Sequence, residues 1–340
     1  MQVISYVLRR IALAFFVLFG VILITFTLSH SLGGNPIISL LGRQASEQPA
    51  LVAALTAKFH FNDPIWVQFY YYVVNLLQGN WGYSTSRGFL PVTTVIAQTF
   101  PFTVQIAFFA YLISLGLGIS LGVLAALYHG RAVDWSIRTL YLAGISTPAF
   151  FIAVLLLIIF PYYFHILPSG GAVSQGIPPP YPITYIPMLD SLLEGNFAYL
   201  SSSLQHVILP SLALSITTFG VVVRILRSSL LDVMDSNYIR TARAKGLDEN
   251  TVFFKHGLRN ALISVVTILA LMITWLITGT IFVENIFAYP GMGQYVFTAL
   301  VAQDYPGILA TTIIFGIIIV SANLLADLLY VAVDPQIRLG

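Results

Sequence analysis

The sequence predicts an all-α, polytopic membrane protein with six transmembrane helices, and three observations carry that prediction. Hydrophobic residues make up 58% of the chain and charged residues 8%, against about 25% charged in an ordinary soluble domain, so no soluble core could use the apolar surface available. The apolar residues gather into six runs of about the 20 residues that cross a hydrocarbon core. The fifteen Lys and Arg residues then divide by loop: Arg9, Arg10, Arg131, Arg138, Arg224, Arg227, Arg240, Arg243, Lys245, Lys255, Arg259 and Arg338 fall on one face, and Arg43, Lys58 and Arg87 on the other. The richer face is expected in the cytoplasm, together with both termini. The loops from Pro161 to Ser203 and from Glu284 to Pro306 contain neither Lys nor Arg, as expected outside.

Taken in order, Arg9 and Arg10 precede an apolar run from Ile11 to Leu28. It exceeds the 7 to 15 residues or so of a signal-peptide core and no Ala-x-Ala site follows, so residues 1–28 are read as a cytoplasmic start and a retained first span. Residues 29–98 form an external region with its own helix, framed by Asp63 as cap, Pro64 in the first turn and Gly79 as stop. At about 15 residues that helix is too short to cross, and Trp66, Phe69, Tyr70, Tyr71 and Tyr72 suit it to the outer interface. Residues 99–333 form a five-helix core, with spans at 101–127, 137–160, 204–226, 261–283 and 307–333; residues 334–340 are a cytoplasmic tail.

Within the second span, Ser114, Gly118, Gly122 and Ala126 recur every four residues and make a packing ridge. Small residues let helices approach closely in lipid, so the ridge is expected to meet another span of the chain or a second subunit. Pro148 and Pro210 are expected to kink or open their helices. The external stretch from Ser169 to Pro187, with Pro178, Pro179 and Pro180, is expected to be irregular, whereas Glu284 to Pro306 is punctuated by Pro290-Gly291-Met292-Gly293 and is expected to fold back on the outer mouth.

A polar island, Asp235 to Asn260, lies between the fourth and fifth spans. Its first part carries Thr241, Ala242 and Ala244 among Arg240, Arg243 and Lys245, and should stop at Gly246 in a left-handed cap. Asp248 can cap a second short helix through His256. A positively charged loop held in the cytoplasm would account for the arginines alone. The glycine at the junction and the alanines on the basic face add a shallow, bent helical knob.

The sequence contains no Gly-x-x-x-x-Gly-Lys-Ser/Thr phosphate cradle, no cysteine, and no close cluster among its six histidines, so nucleotide, thiolate and metal sites are not expected. Ser146 and Thr147 beside Gly144 do not complete a serine-protease motif and are read as partners for helix carbonyls before Pro148. Asp327 is read as the sole acid within a span, set near Arg224 and Arg227 and expected to form a structural ion pair with one of them.

The order Thr241-Ala242-Arg243-Ala244-Lys245-Gly246-Leu247 resembles the cytoplasmic coupling loop of ATP-binding-cassette importer permeases, in the variant of dipeptide and oligopeptide systems. The resemblance spans nearly the whole chain: Tyr6 to Arg10, Asp63-Pro64, Gly79 to Gly82, Leu209-Pro210-Ser211, Arg224 with Arg227 to Ser229, Glu284 with Pro290 to Gly293, Asp304-Tyr305-Pro306, and Asp334 to Arg338. It departs at Gly34-Asn35-Pro36, where the family has an Asp before the proline. The resemblance implies a type I ABC importer permease fold with an external helical insert. It also implies a second homologous permease, two ATPase subunits holding ATP and Mg, and an external substrate-binding protein; no nucleic-acid partner is expected. Coupling to the ATPases would run through Tyr238, Arg240, Thr241, Ala242, Arg243, Ala244, Lys245, Gly246 and Leu247. Docking of the binding protein would use Asp63, Glu284, Pro290, Gly291, Gly293 and Asp304. This chain would be the pathway and no enzyme. The cargo stays open between peptides, oligosaccharides and nickel, and an ion-coupled transporter working without an ATPase is the reading from another class.

Overall fold

In lipid the backbone must satisfy its own N–H and C=O groups, so each apolar run becomes a helix. The computed structural model describes residues 2–32, 49–58 and 62–333. The chain runs α1 (Gln2–Leu32), α2 (Pro49–Lys58), α3 (Ile65–Leu77), a short antiparallel hairpin of β1 (Tyr83–Ser84) and β2 (Leu90–Pro91), and α4 (Val92–Leu127). It continues with α5 (Ala132–Ser146), α6 (Ala149–Leu157), α7 (Pro187–Glu194), α8 (Phe197–Met234), α9 (Asn237–Ala244), α10 (Arg259–Ile286), α11 (Met292–Val301) and α12 (Tyr305–Val333). Wider π-helical turns extend α6 over Ile158–Phe164 and lead into α10 over Thr251–Leu258. Gly34-Asn35-Pro36 and the motif from Asp334 to Arg338 lie outside the described residues.

Helices α1, α4, α8 and α12 are each long and apolar enough to cross a membrane, and two bent pairs, α5 with α6 and Thr251–Val266 with Leu271–Ile286, bring the spans to six when each pair counts as one. The number agrees with the sequence; the third span does not keep its expected form. Instead of one crossing from 137 to 160, α5 and α6 meet at 103°. Thr147, which precedes Pro148, is extended at φ −98° and ψ 127°, as the proline ring demands of its neighbour. Its hydroxyl donates to the Ala143 carbonyl at 2.8 Å, satisfying a group the broken helix leaves free. Pro210, by contrast, lies inside the uninterrupted α8.

Helix α8 is the hub. Leu209, Ala213, Leu214, Val222, Val223, Leu226 and Leu230 are all buried, in clusters shared with α4, α5, α6 and α10. The small-residue ridge of α4 meets α8 of the same chain: Ser114 and Thr218 hydroxyls pair at 2.7 Å, and Cβ atoms at Gly118 and Gly122 would lie 2.5 Å from Val222 Cβ and 3.1 Å from Leu226 Cβ. On its other side Gly220 faces Tyr141 and Ile145, while Gly144 of α5 faces the Ile216 carbonyl. Small residues on both faces therefore bring three backbones together.

Helix α1 packs along α12, and α3 leans on it through aromatic rings: Phe69 lies 5.8 Å from Phe19 and 5.2 Å from Phe26, and Tyr72 lies 5.4 Å from Phe26. The start of α3 corrects the expected cap. Pro64 occupies the cap position, its carbonyl accepting from the Val67 and Gln68 amides, whereas the Asp63 carbonyl accepts from Gln68 Nε2 at 2.8 Å. Gly79 ends the helix at φ +81°, as expected.

Gly118→Leu is expected to lower the thermal stability of the detergent-purified chain by about 1 to 3 kcal/mol, the usual cost of overpacking. Gly116→Leu, on the same helix with open space around it, should leave the melting temperature nearly unchanged; equal shifts for the two variants would contradict the packing described.

Candidate functional site

At the end of α8 the chain turns at Asp235 and Ser236 into α9. Ile239 and Ala242 are buried with Val252, against Val233 and Met234. Tyr238, Arg240, Thr241, Arg243, Ala244, Lys245, Gly246 and Leu247 are exposed. Of the expected coupling residues, Ala242 thus belongs to the internal packing of the knob and the rest to its surface. Gly246 adopts φ +77°, its amide donating to the Arg243 carbonyl at 2.9 Å and the Leu247 amide to the Ala242 carbonyl at 3.5 Å. That is the paired helix ending in which glycine is favoured. The Asp248 carboxylate accepts from the Thr251 amide at 2.9 Å and is held below its ordinary pKa range by Thr251, opening the second helical segment. Arg243 bonds Glu249 at 2.9 Å across the bend, an exposed pair that contributes little energy. Gly257 admits the Met234 sulfur, and Tyr238 Oη accepts from Asn260 Nδ2 at 3.0 Å. The knob is therefore fixed to the stalk by buried contacts and leaves its basic, small-residue surface open.

About two turns before the end of α8, Arg227 Nε and Nη2 donate to the two Asp134 oxygens, each at 2.7 Å. The Gly130 amide donates to Asp134 at 3.0 Å, and His129 Nδ1 accepts from Arg227 at 2.8 Å. Asp134 is 1% exposed. Sequence reasoning had offered Arg227 to Asp327 and missed this acid, placed just ahead of the expected span; the signal was an Asp in the first turn of a helix. Arg224 is exposed, and the side chain of Asp327 lies outside the described residues.

At the end of the bundle away from the knob, the segment from Glu284 to Pro306 folds onto the start of α4 and the end of α10. Helix α10 runs past its expected end at Val283 and carries Glu284 at 0% exposure, so Asp327 is not the sole acid in a spanning helix. Glu284 Oε1 accepts from Thr103 Oγ1 at 2.7 Å and Oε2 from the Gln294 amide at 3.1 Å. Thr103 Oγ1 in turn accepts from the Met292 amide at 2.8 Å. Gly291 and Gly293 are glycines because a Cβ at either would collide, at Gly291 with the Glu284 carboxylate and at Gly293 with the Ile281 backbone. Asp304, 1% exposed, accepts from both Ser84 and Ser86 hydroxyls, from the Ser86 amide at 3.2 Å and from the Gly307 amide at 3.1 Å. A Cβ at Gly82 would press on Pro306 at 3.3 Å.

These contacts correct the docking expectation for four residues. Glu284, Gly291, Gly293 and Asp304 are buried and hold the mouth together from within, while Asp63 and Pro290 are partly exposed. The motifs Gly79 to Gly82, Glu284, Pro290 to Gly293 and Asp304 to Pro306, far apart in sequence, share one end of the bundle. Sequence reasoning missed Thr103, Ser84 and Ser86; the available signal was that carboxylates without a cation nearby need hydroxyl and amide donors.

The described chain is thus a multi-span helical bundle around α8, with a polar knob between the fourth and fifth spans. Residues 118–339 match the family of binding-protein-dependent transport system inner membrane components, and the chain belongs to that family. The chain is 39% identical over 321 residues to the "Probable D,D-dipeptide transport system permease protein DdpB" of Escherichia coli K12, covering 94% of each chain. It is 35% identical over 334 residues to the dipeptide transport system permease protein DppB of Alkalihalophilus pseudofirmus, covering 98% of this chain and 99% of the relative. Identity to the dipeptide permease DppB of Escherichia coli K12 is 33% over 336 residues, with 98% of each covered. Among solved structures, the inward-facing MetNI methionine ABC transporter superposes with a TM-score of 0.52 at 14% identity, covering 72% of this chain and 98% of that one. The fold is thus that of a type I ABC importer permease, and the chain is a multi-pass membrane component, not itself an enzyme.

Thr103→Val, nearly isosteric, leaves a Glu284 oxygen and the Met292 amide without their buried partner, each worth about 1 to 3 kcal/mol. It is expected to lower the melting temperature of the purified chain, whereas Thr103→Ser keeps the hydroxyl and should melt near the native value. A Val variant as stable as the Ser variant would show that the mouth does not rest on this bond.

Proposed function

We propose that this chain is one of two homologous permease subunits of an ATP-driven importer for di- or oligopeptides. Two ATPase subunits that hold ATP and Mg would dock on the knob, and an external binding protein would deliver cargo to the mouth. Both termini and the Asp235 to Asn260 island face the cytoplasm in this reading, which the twelve-to-three division of Lys and Arg supports. Peptide cargo is supported by the dipeptide systems named for all three relatives.

The observation that carries the reading is the knob itself: an exposed surface of small and basic residues mounted on buried contacts to α8. Nucleotide-driven closure of the ATPases would push it, and α8, packed on α4, α5, α6 and α10, would turn that push into rigid-body motion of the spans. The external mouth segments would receive the binding protein through exposed neighbours of Asp63 and Pro290 rather than through the buried carboxylates.

Gly246→Val places a β-branched residue at positive φ, about 1 to 3 kcal/mol of strain at the turn. Peptide uptake by the assembled transporter is expected to fall sharply while membrane insertion and basal ATP hydrolysis persist. Gly246→Asn, which tolerates the left-handed region, should retain most uptake. Normal uptake by the Val variant at normal expression would sink the coupling role.

A further inference from the structure

The start of α5 carries a surface that the coupling knob and the mouth do not use. Arg131, Trp135, Arg138 and Leu142 recur at i, i+4, i+7 and i+11, so they line one helix face. The Arg138 guanidinium sits 4.7 Å from the Trp135 ring centroid, and that of Arg131 sits 5.9 Å from the Tyr128 ring. Trp135 is 59% exposed. The acid of this turn, Asp134, points the other way, buried against Arg227 and the Gly130 amide, and no ion pair among the described residues uses Arg131 or Arg138.

We propose that this face binds the headgroup of an anionic phospholipid of the cytoplasmic leaflet, Arg131 and Arg138 taking the phosphate and Trp135 and Tyr128 lying at headgroup depth. Two features favour lipid over a protein partner. Each guanidinium lies over an aromatic ring, the amphipathic pairing of a membrane–water boundary. The face also ends in an exposed apolar residue, Leu142, against which an acyl chain can lie. A solvated loop would need neither the rings nor that continuation. The choice of leaflet rests on the orientation proposed above; the anion site itself does not.

The test is lipid retention by the purified transporter, read by native mass spectrometry after exposure to mixed phosphatidylglycerol and phosphatidylcholine. Each arginine near an anionic surface contributes roughly five-fold in binding, so the Arg131→Gln/Arg138→Gln double variant should lose up to about 30-fold of the phosphatidylglycerol preference. Arg131→Lys/Arg138→Lys keeps both charges and should keep most of it. An unchanged ratio in the Gln variant overturns the site, as does an equal fall in the Gln and Lys variants, which would be a folding effect. Loss of a protein subunit with the lipid ratio intact would assign the face to a protein contact and likewise overturn it. Val133→Cys, labelled with a membrane-impermeant maleimide, separates the two readings: labelling from outside would refute the orientation while leaving the lipid preference standing.

Discussion

The close approach of α4 to α8 is the constraint on which the other features depend. Lipid offers no hydrophobic drive between helices, so the contact relies on shape, and shape requires that Gly118 and Gly122 present no side chain to Val222 and Leu226. The Ser114–Thr218 bond sits in the same seam. With Gly220 and Gly144 performing the same service toward α5, α8 becomes a strut gripped from two sides. One end lies beside the Glu284 to Pro306 segment and the other carries the knob, so any force applied at one end is transmitted through packed side chains that have little room to yield.

The polar groups of the bundle follow a different rule. Glu284, Asp304 and Asp134 are all buried, yet among the described residues only Asp134 of the three has an ion-pair partner, Arg227. The two mouth carboxylates are met by hydroxyls and backbone amides, an arrangement that leaves an apolar environment intact while tying segments more than 180 residues apart in sequence. Such a network gives little affinity for anything outside. Its use is geometric, holding α11 and the β1–β2 hairpin across the end of the bundle.

How much of this was legible in the sequence depends on whether local chemistry or tertiary contact decided it. Six apolar runs, the glycine ending of α9, the Asp248 turn and the stop at Gly79 are local and were read correctly, because span length, positive φ and cap geometry are written within a few residues. The ridge on α4 was legible as a ridge, but spacing identifies a face and not what meets it. The same limit hid Asp134 as a partner of Arg227, since nothing local to that aspartate names an arginine 93 residues further along the chain. At Pro148 the sequence promised a kink but not its size, a 103° break after which α6 packs on α8 and α10. Glu284, read as a surface acid at the start of a loop, proved to be the last turn of a helix, since an acid's burial depends on donors such as Thr103 that lie elsewhere in the chain.

The central claim is that the knob on α8 is where the ATPase subunits act. A photo-reactive residue at Arg240, exposed on α9 and clear of the buried contacts of Ile239 and Ala242, tests it most directly in the assembled transporter. The result expected is a cross-link to an ATPase subunit whose yield changes between nucleotide-free and ATP-bound states. Cross-links confined to lipid or to the external binding protein, from a complex that retains its ATPase subunits, would contradict it.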